Sequence, residues 1–199
     1  MSRKKVTVLM LAFFVVLLPE FSLAGEVDLP RTGQETCYDE WGYVIDCTGT
    51  GQDGDIQAGV EWPDPRLEDN DDGTVTDNLT GFIWLKDASC FVTRTWSSAL
   101  SQCNTLNNGE CGLTDGSVEG DWRLPNRFEL ESVLDMSQSN PALPSGYPFF
   151  DVVSGWYWSS TTYDGVKGFG WSINMVSGSW TVSTKTNEDS VWCVRGGLD

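Results

Sequence analysis

Carboxylates and indoles are the residues of this chain with the most chemistry to offer. Its 199 residues carry 29 Asp and Glu against 12 Lys and Arg, ten Trp, and no histidine. Without histidine, a Ser-His-Asp triad, a Cys-His pair and a His-ligated zinc site are all excluded. The acidic excess argues against a nucleic-acid partner, whose phosphates it would repel. Two runs concentrate the carboxylates: Gly51-Gln52-Asp53-Gly54-Asp55 and Glu68-Asp69-Asn70-Asp71-Asp72-Gly73. Calcium takes six to eight oxygens, several of them carboxylate. Asp69, Asp71, Asp72 and Asp77 are therefore the candidate metal ligands, and calcium is the cation they suit. Glu68-x-Asn70-x-Asp72-Gly73 imitates the start of an EF-hand loop. Its twelfth position is Leu79, so the bidentate Glu is missing and the loop is not an EF-hand. The competing reading is a solvated turn before a strand.

The indoles suggest a second chemistry. Trp156, Trp158, Trp171 and Trp180 fall in the C-terminal half, and sugars stack their apolar faces on exposed rings. Trp is also the bulkiest core residue, and alternation buries one face of each strand, so most of these belong to the core. Trp158, Trp171 and Trp180 are the stacking candidates. Asn174 supplies hydrogen bonds, with Lys185, Asn187, Glu188 and Asp189 as further polar neighbours. No enzyme is expected. Glu129 and Glu131, two apart on a helix, do not face each other, whereas glycoside hydrolysis needs two facing carboxylates.

The N-terminus reads as an export signal. Arg3-Lys4-Lys5 precedes an apolar run from Val6 to Leu18, and Ser22-Leu23-Ala24 offers small residues for cleavage before Gly25. The run is short of the roughly 20 residues that span a bilayer. No later segment is apolar enough, so no transmembrane segment is expected after cleavage and the protein is secreted or periplasmic. Six cysteines in an oxidising compartment predict three disulfides. Cys37 and Cys47, close together in a polar segment, suggest a local loop. Spacing alone leaves the other pairings open. Residues 1–24 are thus read as signal peptide and 25–66 as an acidic, loop-rich lead-in. Residues 67–199 form the domain.

Several elements must position these side chains. Thr74-Val75-Thr76, the turn residues Asp77 to Gly81, and Phe82-Ile83-Trp84-Leu85 predict a hairpin. Thr95 caps a helix whose Trp96, Ala99, Leu100, Cys103 and Leu106 share one face, ended by Asn107-Asn108-Gly109. Asn126 with Glu129 forms a capping box opening a second helix, with Phe128, Leu130, Val133 and Leu134 among its buried residues. Asn140-Pro141 stops it. Trp156 to Ser160, Phe169 to Met175, Trp180 to Val182, and Val191 to Val194 predict strands. Two helices followed by a strand-rich half make an α+β domain with a mainly antiparallel sheet.

Four blocks carry a family resemblance. They are Asp72-Gly73-Thr74-Val75-Thr76-Asp77-Asn78-Leu79-Thr80-Gly81-Phe82-Ile83-Trp84, Gly120-Asp121-Trp122-Arg123-Leu124-Pro125, Trp156-Tyr157-Trp158-Ser159-Ser160-Thr161, and Val191-Trp192-Cys193-Val194-Arg195-Gly196-Gly197. In this order they resemble the bacterial family named for the C-terminal domain of the collagen-like adhesin Lcl. The Arg-Leu-Pro block before a capped acidic helix is also similar to the formylglycine-generating, sulfatase-modifying family, whose catalytic cysteine pair has no counterpart here. Both resemblances imply a disulfide-bonded C-type-lectin-like fold. The first implies adhesion or glycan binding, so the partner is a glycan or an envelope protein. The alternative is a structural component of the envelope without a small ligand. Lectin-like domains tie the first helix to the last strand. That implies Cys103–Cys193, and hence Cys90–Cys111 across the helix. Within the Arg-Leu-Pro block, Trp122 is expected to pack, Arg123 to hold carbonyls or a carboxylate in the core, and Pro125 to set up the helix. After cleavage 28 acidic residues face nine basic ones, so any glycan bound is expected to be neutral or bridged through calcium. Arg94, Lys167 and Lys185 are the residues from which a basic patch could form.

Overall fold

A computed structural model describes residues 29–196; the expected signal peptide lies outside them. The predicted hairpin forms as β4 (Thr74–Asp77) and β5 (Phe82–Leu85). Its turn is held by Asp77, whose backbone carbonyl accepts from Gly81 N at 2.8 Å and whose side chain accepts from Leu79 N at 3.0 Å. β4 also pairs with β3 (Leu67–Asp69), and β5 with β11 (Val194–Gly196), completing a four-stranded sheet in the order β11-β5-β4-β3. The second sheet has the order β6-β10-β7-β8-β9. Its strands are β6 (Thr93–Thr95), β7 (Trp156–Thr162), β8 (Phe169–Asn174), β9 (Trp180–Thr184) and β10 (Glu188–Ser190). Every pairing between named strands is antiparallel except β10 with β7. The architecture is therefore α+β, as expected.

One expected strand falls between two observed ones. Val191 to Val194 reads as continuous in sequence, yet β10 ends at Ser190 and β11 begins at Val194. Residues 191–193 carry the chain from one sheet to the other. They do so through the core: Val191, Trp192 and Cys193 are wholly buried. The Trp192 indole donates to the Leu85 carbonyl at 2.7 Å, and its ring meets Trp84 at 5.1 Å and Phe149 edge-on at 4.7 Å. Four buried indoles, Trp84, Trp122, Trp158 and Trp192, dominate this core.

Thr95 stands at the N-terminus of α2 (Trp96–Thr105), which buries Ala99 and Cys103. In α3 (Arg127–Ser132) the Asn126 side chain accepts from Phe128 N and Glu129 N while Glu129 returns to Asn126 N, so both arms of the capping box are present. α3 is shorter than its pattern implied. Leu130, Val133 and Leu134 are buried, but Phe128 is 77% exposed, because six residues make under two turns and only one side of α3 meets the sheet. Arg123 also departs from expectation. Trp122 is buried, but Arg123 lies at the surface, forked onto Glu129 at 2.5 and 2.9 Å. The block is a brace on the capping box rather than a buried anchor.

The three disulfides are Cys37–Cys47, Cys90–Cys111 and Cys103–Cys193. The first staples the two-stranded hairpin of β1 (Cys37–Tyr38) and β2 (Val44–Ile45). A short helix α1 (Asp53–Ile56) follows. This lead-in is docked on the domain. Met136 N donates to Thr32 O at 2.8 Å, while Arg31 N to Val60 O at 3.1 Å joins two segments of the lead-in itself. Arg66 is buried. It donates to the Ser132 and Leu134 carbonyls, lies 3.5 Å from Asp77, and sits 4.1 Å from the Trp62 ring centroid. Burial pulls the Arg66 guanidinium below its ordinary value, against the pull of Asp77. No helix among the described residues is long and apolar enough to cross a membrane.

Candidate functional site

The acidic residues proposed for calcium turn to separate tasks. Asp69 pairs with Lys86 and also accepts from Asp71 N at 3.0 Å. These bonds hold its carboxyl below the usual carboxylate range, the Lys86 bond more than the backbone one. Asp72 accepts from Thr74 N and Oγ1 at 3.0 and 2.6 Å. Asp77 is wholly buried beside Arg66, and Asp71, at φ 59°, is an exposed turn residue. Among the described residues no three Asp, Glu, Cys or His side chains are grouped to hold a metal ion. The structure does not bring Asp69, Asp71, Asp72 and Asp77 together into one group. Adjacent carboxylates in a strand-turn segment alternate direction, and their own backbone N–H groups and neighbouring cations engage them.

The aromatic set also divides. Trp158 is fully buried and its indole N–H donates to the Arg94 carbonyl at 2.8 Å, so it cannot stack on a ligand. Its strand face packs inward beneath β6 and α2. Trp171 and Trp180 are half-buried on the opposite face of the sheet, opposite Val182 and Ile173 respectively. The Arg127 guanidinium lies 4.1 Å from the Trp171 ring centroid and 5.0 Å from that of Trp180. The Tyr163 ring meets Trp171 edge-on at 5.5 Å. The Arg127 guanidinium thus lies within cation–π range of both rings, where it competes with a sugar for stacking. Asn174 accepts from Val176 N at 2.8 Å to hold the β8–β9 turn. The candidate basic residues are engaged too. Lys185 sits 3.8 Å over the Trp96 ring and donates to Thr162, Lys167 pairs with Asp164, and Arg94 donates to the Thr93 carbonyl.

The exposed aromatic surface lies where the sequence reading placed only a loop. On the β1–β2 hairpin Trp41 is 78% exposed and Tyr43 71%, with Tyr38, Val44 and Ile45 also at the surface. The hairpin is braced in three ways. Its base is closed by Cys37–Cys47. Its tip turns on Asp39, whose side chain accepts from Trp41 N and Tyr43 N at 2.9 and 2.8 Å, with Gly42 at φ 83°. Its outer edge is met by Gln52, which accepts from Tyr38 N and donates to Tyr38 O at 3.0 and 2.9 Å. A hairpin backbone braced this way loses little freedom when a ligand covers its rings. The polar residues of the hairpin and the segment that follows it are Asp39, Glu40, Asp46, Thr48 and Gln52. The Thr48 N–H and hydroxyl hold the Asp46 carboxyl below its usual range. From residue 32 to 65 there are eight carboxylates and no Lys or Arg. The signal was legible in retrospect: Trp41-Gly42-Tyr43 between two close cysteines in an otherwise polar segment.

An apolar groove of about 350 Å³ lies elsewhere, lined by Leu29, Pro30, Phe128, Leu134 and Met136.

What the fold and surface define is a disulfide-bonded α+β domain, with a braced aromatic hairpin on an acidic lead-in. Comparison with known proteins places it further. The family described as the Lcl C-terminal domain matches residues 73–195, more than half of the chain, and the chain belongs to that family. No curated protein matches it. The hairpin, Arg66 and β3 precede the matched segment, so family membership does not speak for them.

Proposed function

We propose that the chain is an exported binding module that attaches to an uncharged glycan on a cell surface or envelope, without catalysing a reaction. The braced hairpin carries this reading. Trp41 and Tyr43 are large exposed rings on a braced hairpin, and the exposed carboxylates Glu40 and Asp46 of the same segment can accept from sugar hydroxyls. The eight carboxylates of residues 32–65, with no Lys or Arg among them, disfavour sulfated or phosphorylated ligands on this segment. Three disulfides and six paired cysteines support an oxidising compartment. The bond between α2 and the segment before the last strand supports the lectin-like reading that the family resemblance implies.

Affinity electrophoresis of the mature chain through uncharged polysaccharides, with and without calcium, tests the proposal. Retention should occur and should be lost in Trp41→Ala/Tyr43→Ala, with all disulfides intact. Retention that survives this variant but is lost in Phe128→Ser, on the apolar groove, would overturn the hairpin reading. Salt-sensitive binding to heparin without calcium would overturn the charge argument.

A further inference from the structure

A second feature of the lead-in lies apart from the hairpin. Between residues 31–35, residues 57–62 and the segment after α3 lies a cavity of about 320 Å³. The chain creates it by pinning a strap on both sides. Val60 N donates to Leu29 O at 2.8 Å, the Trp62 indole donates to Arg31 O at 3.0 Å, and Met136 N reaches Thr32 O. Gly33 lies where the strap passes closest. At φ +86°, a Cβ there would overlap the Asp135 carboxylate and come within 2.7 Å of Trp62 Cη2. Only glycine lets the strap approach without filling the space.

The walls are chemically mixed. Arg31 donates through Nη1 to Gln57 Oε1 at 3.4 Å, while its buried Nε makes no hydrogen bond. Asp135, 5% exposed, is oriented by Ser137, whose N and Oγ donate to Oδ1 at 2.8 and 2.6 Å. Glu35 and Glu61 stand exposed in the lining, and no side-chain hydrogen bond engages either carboxylate. Trp62 forms a rigid wall, fixed by its indole bond and by the Arg66 guanidinium.

We infer that this cavity is a subsite for one sugar residue without negative charge. Ring hydroxyls both donate and accept, which matches a lining of carboxylates, amide and guanidinium. Three carboxylates against one arginine turn away a uronate or a sulfated sugar. The volume stands near the lower end of ligand cavities, which run from roughly 300 to 1,000 Å³, so it suits a single ring rather than a chain. The inference rests on the glycan reading above but uses none of the hairpin residues.

Calorimetry on the mature, disulfide-bonded chain tests it with D-galactose, N-acetyl-D-glucosamine, D-glucosamine and D-glucuronate as probes. At least one of the first three should bind in the millimolar range, and the uronate should not. Binding should fall at least about tenfold, or 1.4 kcal/mol, in both Glu61→Ala and Gln57→Ala. The exposed Glu61 makes no contact that folding needs. Trp41→Ala/Tyr43→Ala should leave monosaccharide binding unchanged. Absence of heat with every probe, preference for the uronate, or indifference to Glu61→Ala overturns the inference. If the hairpin variant loses polysaccharide while no monosaccharide binds any chain, the cavity fails and the hairpin stands. Monosaccharide binding beside polysaccharide retention that ignores the hairpin gives the reverse.

Discussion

Removing the Cys103–Cys193 bond should cost more stability than removing either of the others. The bond closes a loop of 90 residues, against 21 for Cys90–Cys111 and 10 for Cys37–Cys47. In the chain-entropy description, cross-linking removes freedom from the unfolded chain as the logarithm of loop length. That gives about 4.6 kcal/mol for the longest loop, about 3.3 for the middle one and about 2.7 for the shortest at 25 °C. The longest bond also joins α2 to the segment that crosses between the sheets, and both its cysteines are wholly buried. Trimming sulfur there leaves unfilled space, which adds to the loss. Against a total stability of roughly 5–15 kcal/mol, 4.6 kcal/mol is a large share. It corresponds to a fall in Tm of about 9–18 °C for a domain of this size. Reversible urea unfolding of the three paired Cys→Ala variants, followed by tryptophan fluorescence, measures the order. If Cys103→Ala/Cys193→Ala proves more stable than Cys37→Ala/Cys47→Ala, loop entropy does not govern these bonds and the reasoning is refuted.

Asp77→Asn leaves the Arg66 charge buried without its counter-ion and should cost about 3–5 kcal/mol in urea unfolding; a loss within about 1 kcal/mol would show that the Ser132 and Leu134 carbonyls suffice. Asp189 forms no ion pair among the described residues. Burial raises its carboxyl pKa, against hydrogen bonds from Ser172 and Ser183, so its folded pKa lies above the unfolded one. Its contribution to stability therefore falls as pH rises from below about 4 through the folded pKa. Asp189→Asn should gain on the parent chain between acid and neutral pH in thermal unfolding, and a parallel pair of pH curves would contradict this. Tyr157 is pushed up to about 12, chiefly by burial. Its phenol should stay silent in an ultraviolet titration at about pH 10, the value of an unperturbed phenol, and stability should decline above that pH as the unfolded chain alone releases the Tyr157 proton.

The local elements were legible because their causes are local. The capping box of α3 lies within four residues, the β4–β5 turn within five, and the alternation in β8 and β9 repeats every second residue. The even cysteine count predicted three bonds, and the family resemblance supplied the two long pairings. Tertiary structure decided what each side chain faces. Nothing in sequence spacing says that Arg127 lies against Trp171 and Trp180, or that Trp158 is the indole of its strand that α2 and β6 cover. Asp69, Asp71 and Asp72 are crowded in sequence, but the turn gives Asp69 and Asp72 separate partners, Asp71 N and Lys86 for one and Thr74 for the other. The cavity is the furthest from sequence. Its walls come from residues 31, 61 and 135, and they meet only because Arg66 and the Met136–Thr32 bond dock the lead-in on α3. Short-range rules act through the backbone and can be read along the chain. Contacts between segments some 100 residues apart depend on which buried faces meet, and that is settled only when the whole core packs.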